Sequence, residues 1–426
     1  MARFDACSVV AMSDFRLAPA TRLDQVRYDI RGPLSLRARA LEQDGVELLR
    51  LNIGNPARFD LHAPTALREA IAAHLHEIDA YGHELGLEPA REALVADAVA
   101  RGIHGLDIEH VFIGNGVSEL IDMSLRALLE PDDEVLLPSP DYPLWSAATR
   151  LNGGVPRYYD CPAIRGHLPD AAEVEALITP RTRALVLINP NNPTGAVYPR
   201  ALLQQLVALA ERHGLLLLSD EIYDGITYDD AQFTPLAALT GAVPCLSFGG
   251  LSKLWRACGY RIGWLQLTGA RAALRPLRDA LQLLAALRLC ANQMGQWAIP
   301  VALRLRGEIA TLTTPGGRLH ATRAALLAGV ARSEFLDVVA PRGAIYAFPA
   351  LRDGLLPDFD DQAFALDLLE HEHVLLTPGS GFNLTDSRHL RLTLLPEPAL
   401  MVEVLARLEH ALARHVEVAT PRYAHG

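Results

Sequence analysis

The sequence predicts an α/β protein with a large domain built on a mostly parallel sheet between helices, joined to a smaller α+β domain. Three observations carry this. Short, fully apolar runs alternate with helical patterns: HVFI before GNGVSELIDMSLRALL, then DEVLLP, then ALVLINP before PRALLQQLVALAERHG, then LLLLSDEIY, CLSFGG and GWLQL. Strands apolar on both faces belong to a parallel sheet covered by helices. Next, polar motifs follow the apolar runs directly, and ligands of such sheets sit at the carboxyl ends of the strands. Last, 426 residues, 50 % of them hydrophobic, suffice to bury a large core in two domains.

The order along the chain follows. Residues 1–27 read as an N-terminal arm, and 28–60, ending in LLRLNIGNP, as the N-terminal part of the small domain. Residues 61–305 form the large domain. From about residue 270 one long helical stretch leads to the loop TTPGG at 313–317. The C-terminal small domain, 306–426, holds the strand-like segments LDVVAP, AIYAFP, HVLLTP and HLRLTLLP and a last helix from about 397 to 415. No internal repeat is present.

Composition narrows the function. A net charge of −11 argues against nucleic acid, whose phosphates need a basic face. No apolar run reaches about 18 residues, so no membrane helix is expected. The start, MARFDACSVVAMSDFRL, makes a poor secretory signal, and a cytoplasmic chain is expected. Five cysteines without a CxxC pair fit reduced thiols. No metal site is expected. In HEH at 371–373 the two histidines do not share a helical face, and PDDE at 131–134 reads as a turn.

Of the 39 basic residues, 38 are Arg and one is Lys, at position 253. Arg holds its proton too firmly to act as an amine nucleophile, so a single retained Lys points to chemistry that needs a deprotonated amine.

The residues around it match the demands of pyridoxal phosphate. That cofactor needs a lysine to hold it as an imine and an acid to keep its ring nitrogen protonated, so that the ring acts as an electron sink. Lys253 follows CLSFGG, and Asp220 ends the strand LLLLSD. Tyr223 and Asn192, in INPNNPTG, offer donors to the ring oxygen, with Gly195 permitting an unusual backbone angle. Gly114 to Ser118 open a helix whose N–H groups can approach a phosphate, and Arg261 can take its other side. Arg391 in HLRLTLLP is the candidate clamp for a substrate carboxylate. Asn192 to Asp220 spans 28 residues and Asp220 to Lys253 spans 33.

In this order the motifs resemble the class I/II, fold-type-I pyridoxal-phosphate aminotransferases, most closely the bacterial glutamate–pyruvate (alanine) transaminases. The matching stretches include YDIRGP, LNIGNPA, IGNGVSEL, PDYPLW, INPNNPTGAVY, DEIYD, GLSK, TPGGRL, PRGAIYAFP and HLRLTLLP, spanning residues 28–396. The resemblance implies a seven-stranded sheet and assigns roles. Lys253 carries the cofactor and shuttles the proton, Asp220 pairs with the ring nitrogen, Asn192 and Tyr223 hold the ring oxygen, and Tyr142 stacks on the ring. Gly116, Val117, Ser118 and Arg261 hold the phosphate, while Arg391, Asn192 and Gly54 take the substrate carboxylate. Tyr81 reaches the neighbouring subunit's cofactor in a homodimer.

Departures stand beside the match. Gly250 occupies a position where many relatives carry a phosphate-binding Ser, which leaves Ser252 as a substitute. Trp255 and Cys258 are unusual after the lysine, and PGSGFN differs near the substrate side. A glutamate–pyruvate enzyme needs a second, movable cation for the side-chain carboxylate. Arg31 is the first candidate, by resemblance of location on a mobile arm, and Arg288 the second. The expected reaction is alanine plus 2-oxoglutarate to pyruvate plus glutamate. The alternatives are a carbon–sulfur lyase or specialised biosynthetic aminotransferase on the same scaffold, and least of all a non-catalytic regulator.

Overall fold

The computed structural model describes residues 18–26, 32–384 and 387–419. Its centre is a seven-stranded sheet. In chain order the strands are β1 (Val111–Gly114), β2 (Glu134–Ser139), β3 (Val155–Asp160), β4 (Thr182–Ile188), β5 (Leu216–Asp220), β6 (Cys245–Gly250) and β7 (Gly263–Thr268). Their spatial order is β1-β7-β6-β5-β4-β2-β3. All neighbours pair in parallel except β7, which is antiparallel to both β1 and β6. The sheet is thus mostly parallel, as expected. Every residue of β1 and β5 is buried, which explains why these runs lack polar alternation.

The one antiparallel strand matters for the site. Because β7 runs the other way, its first residue lies where its neighbours end, with Gly263 in register with both Gly114 and Gly250. Arg261, two residues before β7, therefore reaches the edge at which β5 delivers Asp220 and β6 leads to Lys253.

The helix Val117–Leu128 starts at this edge and buries Leu120, Ile121 and Leu125 against the sheet. It starts close because Gly263 has no side chain: a Cβ there would stand 2.5 Å from the Val117 nitrogen. Each fully buried leucine stabilises this packing by about 1.5–3 kcal/mol.

The expected long helix from about 270 ends sooner, as Arg271–Leu287. Leu289 adopts φ +69°, and short turns and helices follow, among them Ile299–Arg304. The other strands are short. Leu49–Arg50 pairs in parallel with Val374–Leu375. Leu390–Thr393 lies between Tyr346–Ala347 and Thr377–Pro378, antiparallel to both. The last helix, Pro398–Ala419, packs on the helix Arg318–Val330. No described helix is long and apolar enough to cross a membrane.

Candidate active site

A cavity of about 650 Å³ opens at the carboxyl ends of the parallel strands. It is lined from the central sheet by Asp220, Asn192 and Lys253 and from segments outside that sheet by Gly54, Tyr346 and Arg391. Val117, Ser118, Tyr142, Tyr223, Ser252 and Arg261 also line it. Gly116 is not among the lining residues but forms the N-terminal cap of the helix that Val117 starts.

Lys253 is half-buried, and its Nζ donates to the Gly54 carbonyl across 2.7 Å. Cys258 Sγ stands 4.0 Å from the same nitrogen and donates to the Ser252 carbonyl at 3.0 Å. Asp220 is buried. Its Oδ2 accepts from Trp145 Nε1 at 3.1 Å and its Oδ1 from the Ile222 N–H at 3.3 Å. Burial pushes its carboxyl up to about 6, against the two hydrogen bonds and the Lys253 charge, which pull it down. Such a carboxylate is poised to pair with a cation that enters the cavity.

Arg391 is 1 % exposed, which is costly for a charge without partners. Its Nη1 donates to Asn192 Oδ1 at 2.9 Å, and its Nη2 donates to the Asn52 carbonyl. The guanidinium lies over two aromatic rings, 4.2 Å from the centroid of Tyr346 and 4.7 Å from that of Phe382. Its buried Nε has no partner among the described residues. A cation held this way still needs an anion.

Three features fit a pyridoxal phosphate group. Asp220 sits buried where a protonated ring nitrogen needs an acid. Gly116 has φ +91°, and a Cβ on it would stand 2.4 Å from Arg261 Nη2. The absent side chain leaves a cradle between a helix N-terminus and an arginine, suited to a phosphate. Arg391 keeps an unpartnered donor for a carboxylate. The departures also find places. A Cβ at Gly250 would meet the Ile262 carbonyl at 2.8 Å, so a serine there needs the backbone to shift. Trp255 turns away from the cavity and donates from Nε1 to the Ala302 carbonyl at 2.6 Å, beneath Arg306.

Two named candidates do not line this cavity. Tyr81, expected at the neighbouring subunit's cofactor rather than at this chain's own, is 80 % exposed. Arg288 is also outside the cavity: Nη1 donates to Glu119 Oε2 at 3.0 Å and Nη2 to the Ile113 carbonyl at 2.8 Å. That is an anchor, which makes Arg288 a poor swinging cation. Arg31 lies outside the described residues. Tyr346 and Cys258 were not singled out as cavity residues by their motifs. Nothing local in AIYAFP marks its tyrosine, while the oddity of Cys258 beside the lysine was a usable signal.

Known proteins match this chain over nearly its whole length. Residues 46–408 match the family Aminotransferase class I and II. The alanine aminotransferase of Mycobacterium tuberculosis is 45 % identical over 399 residues, covering 93 % of each chain. The glutamate-pyruvate aminotransferase AlaA of Escherichia coli K12 is 42 % identical over 377 residues, 88 % of this chain and 93 % of that protein. The crystal structure of an aminotransferase from Escherichia coli superposes with a TM-score of 0.91 at 40 % identity, over 93 % of this chain and 98 % of that one. The expected fold-type-I architecture is borne out. The chain belongs to the class I and II aminotransferases.

Proposed function

We propose that this aminotransferase uses pyridoxal phosphate to exchange the amino group of alanine with 2-oxoglutarate, giving pyruvate and glutamate, reversibly. The observation that carries this reading is the convergence of the sole lysine, the buried Asp220 and the buried Arg391 on one cavity. The substrate pair rests on the relatives, which are named alanine and glutamate-pyruvate aminotransferases.

When bound, pyridoxal phosphate supplies an electron sink that makes an amino acid's α-proton removable. Lys253 would hold it, and its Nζ would accept the α-proton and return one later. Asp220 would keep a proton on the ring nitrogen through its negative charge. Tyr223 and Asn192 would donate to the ring oxygen, and Tyr142 would cover the ring. The N–H groups at Gly116, Val117 and Ser118, with Ser252 and Arg261, would hold the phosphate. Arg391 and Asn192 orient the substrate α-carboxylate beside Gly54, which fixes the α-carbon near Lys253.

Arg31 is our candidate reader of the second carboxylate of glutamate, and the anchored state of Arg288 supports preferring it. We infer a homodimer in which Tyr81 reaches the partner's cofactor. In support, Ala80 accepts a bond from Gln293, and the nearby Tyr81, Leu289 and Met294 are about half or more exposed, an apolar surface suited to burial by a second copy.

A panel of amino donors against pyruvate and 2-oxoglutarate tests the reading. Alanine with 2-oxoglutarate is expected to turn over fastest. Release of ammonia or sulfide from an amino acid without an oxo-acid acceptor would instead establish a lyase.

A further inference from the structure

The two tyrosines at the floor of the cavity come from different parts of the chain. Tyr223 follows β5, and Tyr346 lies on the short strand Tyr346–Ala347, paired to the strand that carries Arg391. Their rings meet edge to face at 5.9 Å, and the Tyr223 hydroxyl donates to Tyr346 Oη across 3.4 Å. Tyr346 is 3 % exposed. Three further contacts fix it. Its ring lies 4.2 Å from the Arg391 guanidinium. Its hydroxyl occupies the space that a side chain at Gly54 would fill, since a Cβ there would stand 2.3 Å from Oη. The Gly54 carbonyl in turn accepts from Lys253 Nζ. One phenol thus touches the residues proposed for the ring oxygen, the carboxylate clamp and the lysine seat.

A hydroxyl has one proton to donate. If Tyr223 gives its proton to the cofactor's ring oxygen, it cannot also give it to Tyr346, and the bond between the two must reverse. Without the cofactor, burial pushes the Tyr346 phenol up, but the charges of Lys253 and Arg391 and the bond accepted from Tyr223 hold it below the usual tyrosine range, while burial pushes Tyr223 well above it. The other titratable group near Tyr346 is Cys258.

We propose that Tyr346 is a positioning residue of the transamination site: its hydroxyl donates to Tyr223 and frees the Tyr223 proton for the ring oxygen, while its ring holds the plane of the Arg391 guanidinium. This rests on the pyridoxal-phosphate reading above, and it assigns to the small domain a part in tuning the cofactor.

Two variants separate the hydroxyl from the ring. Tyr346→Phe keeps the ring. Its kcat is expected to fall roughly 3- to 12-fold, the range spanned by one hydrogen bond, with KM for alanine within about twofold of wild type. The pH midpoint of the visible cofactor band should move. In the cofactor-free protein, the tyrosinate absorbance that forms below the ordinary tyrosine range should vanish. Tyr346→Leu also removes the ring, and KM should rise by a further 5- to 30-fold or roughly so, as for loss of a desolvated cation–π contact. Thermal melting of both variants checks the fold. The inference is overturned if Tyr346→Phe matches wild type in kcat and band midpoint, or if it raises KM as much as Tyr346→Leu does. Wild-type protein that binds no pyridoxal phosphate sinks the functional reading and this inference with it. Wild type that binds it, with Tyr346→Phe indistinguishable from it, sinks this inference alone.

Discussion

Arg391 Nη1 donates to Asn192 Oδ1 across 2.9 Å, although the two residues stand 199 positions apart. Asn192 lies beyond the end of β4 in the central sheet, and Arg391 lies on the short strand Leu390–Thr393, so this bond ties that strand to the end of the sheet. Arg391→Lys keeps the charge but loses the fork that matches a carboxylate. It is expected to lower kcat/KM for alanine roughly 10- to 150-fold, the range for hydrogen bonds to charged groups, mostly through KM. Steady-state kinetics checks this, and an unchanged KM would remove Arg391 from the carboxylate site.

Asp220→Asn should fold, because an amide oxygen still accepts from Trp145 Nε1. It cannot stabilise a positive ring nitrogen. Turnover is expected to drop by about 10²–10³, as when one oriented electrostatic partner is lost. The check is kcat together with near-ultraviolet circular dichroism, which should keep the native Trp145 signal.

Gly263→Ala is a test of the phosphate cradle from behind. The added Cβ meets backbone, the Val117 nitrogen at 2.5 Å, so the start of the helix must move. Stability is expected to fall by about 1–3 kcal/mol. Cofactor affinity should weaken as well, measured by equilibrium dialysis of pyridoxal phosphate. Affinity equal to wild type would place the phosphate elsewhere.

Asp141, beside Tyr142, gives a pH prediction. Its Oδ1 accepts from Asn383 Nδ2 at 2.8 Å, while its buried Oδ2 has no partner among the described residues. Burial pushes its carboxyl up to about 7, partly opposed by the Asn383 and Ser146 bonds. A carboxyl raised in the folded state stabilises fully below its unfolded pKa, near 4, and that stabilisation is lost as pH rises through its folded value. Between about pH 5 and pH 8, wild type should therefore lose roughly 2–3 kcal/mol relative to Asp141→Asn. Chemical denaturation at both pH values measures it. A difference that does not change with pH would mean Asp141 is ionised throughout.

Much of this site was legible in the chain because the sheet is buried on both faces. Fully apolar runs such as LLLL leave polar residues only at strand ends, so Asp220, Asn192 and Lys253 announced themselves. Arg261 was legible as a motif, but its arrival at the same edge depends on β7 running antiparallel. The anchored state of Arg288 was not legible, because its partner Glu119 is 169 residues away and no local pattern shows that an arginine is already tied down. Tyr346 escaped notice for the same reason: its strand is two residues long, and its meaning comes from Tyr223, 123 positions earlier.

The central claim is that Lys253 carries the cofactor, and its solitude makes the test direct. Any bond from a lysine side chain to an aldehyde must form at position 253. Protein loaded with pyridoxal phosphate, reduced with borohydride and digested, should carry the label on the one lysine-containing peptide. Lys253→Arg should keep its melting behaviour and lose the visible band, the label and turnover. Normal turnover in Lys253→Arg, or active wild type with no label at Lys253, would contradict the account.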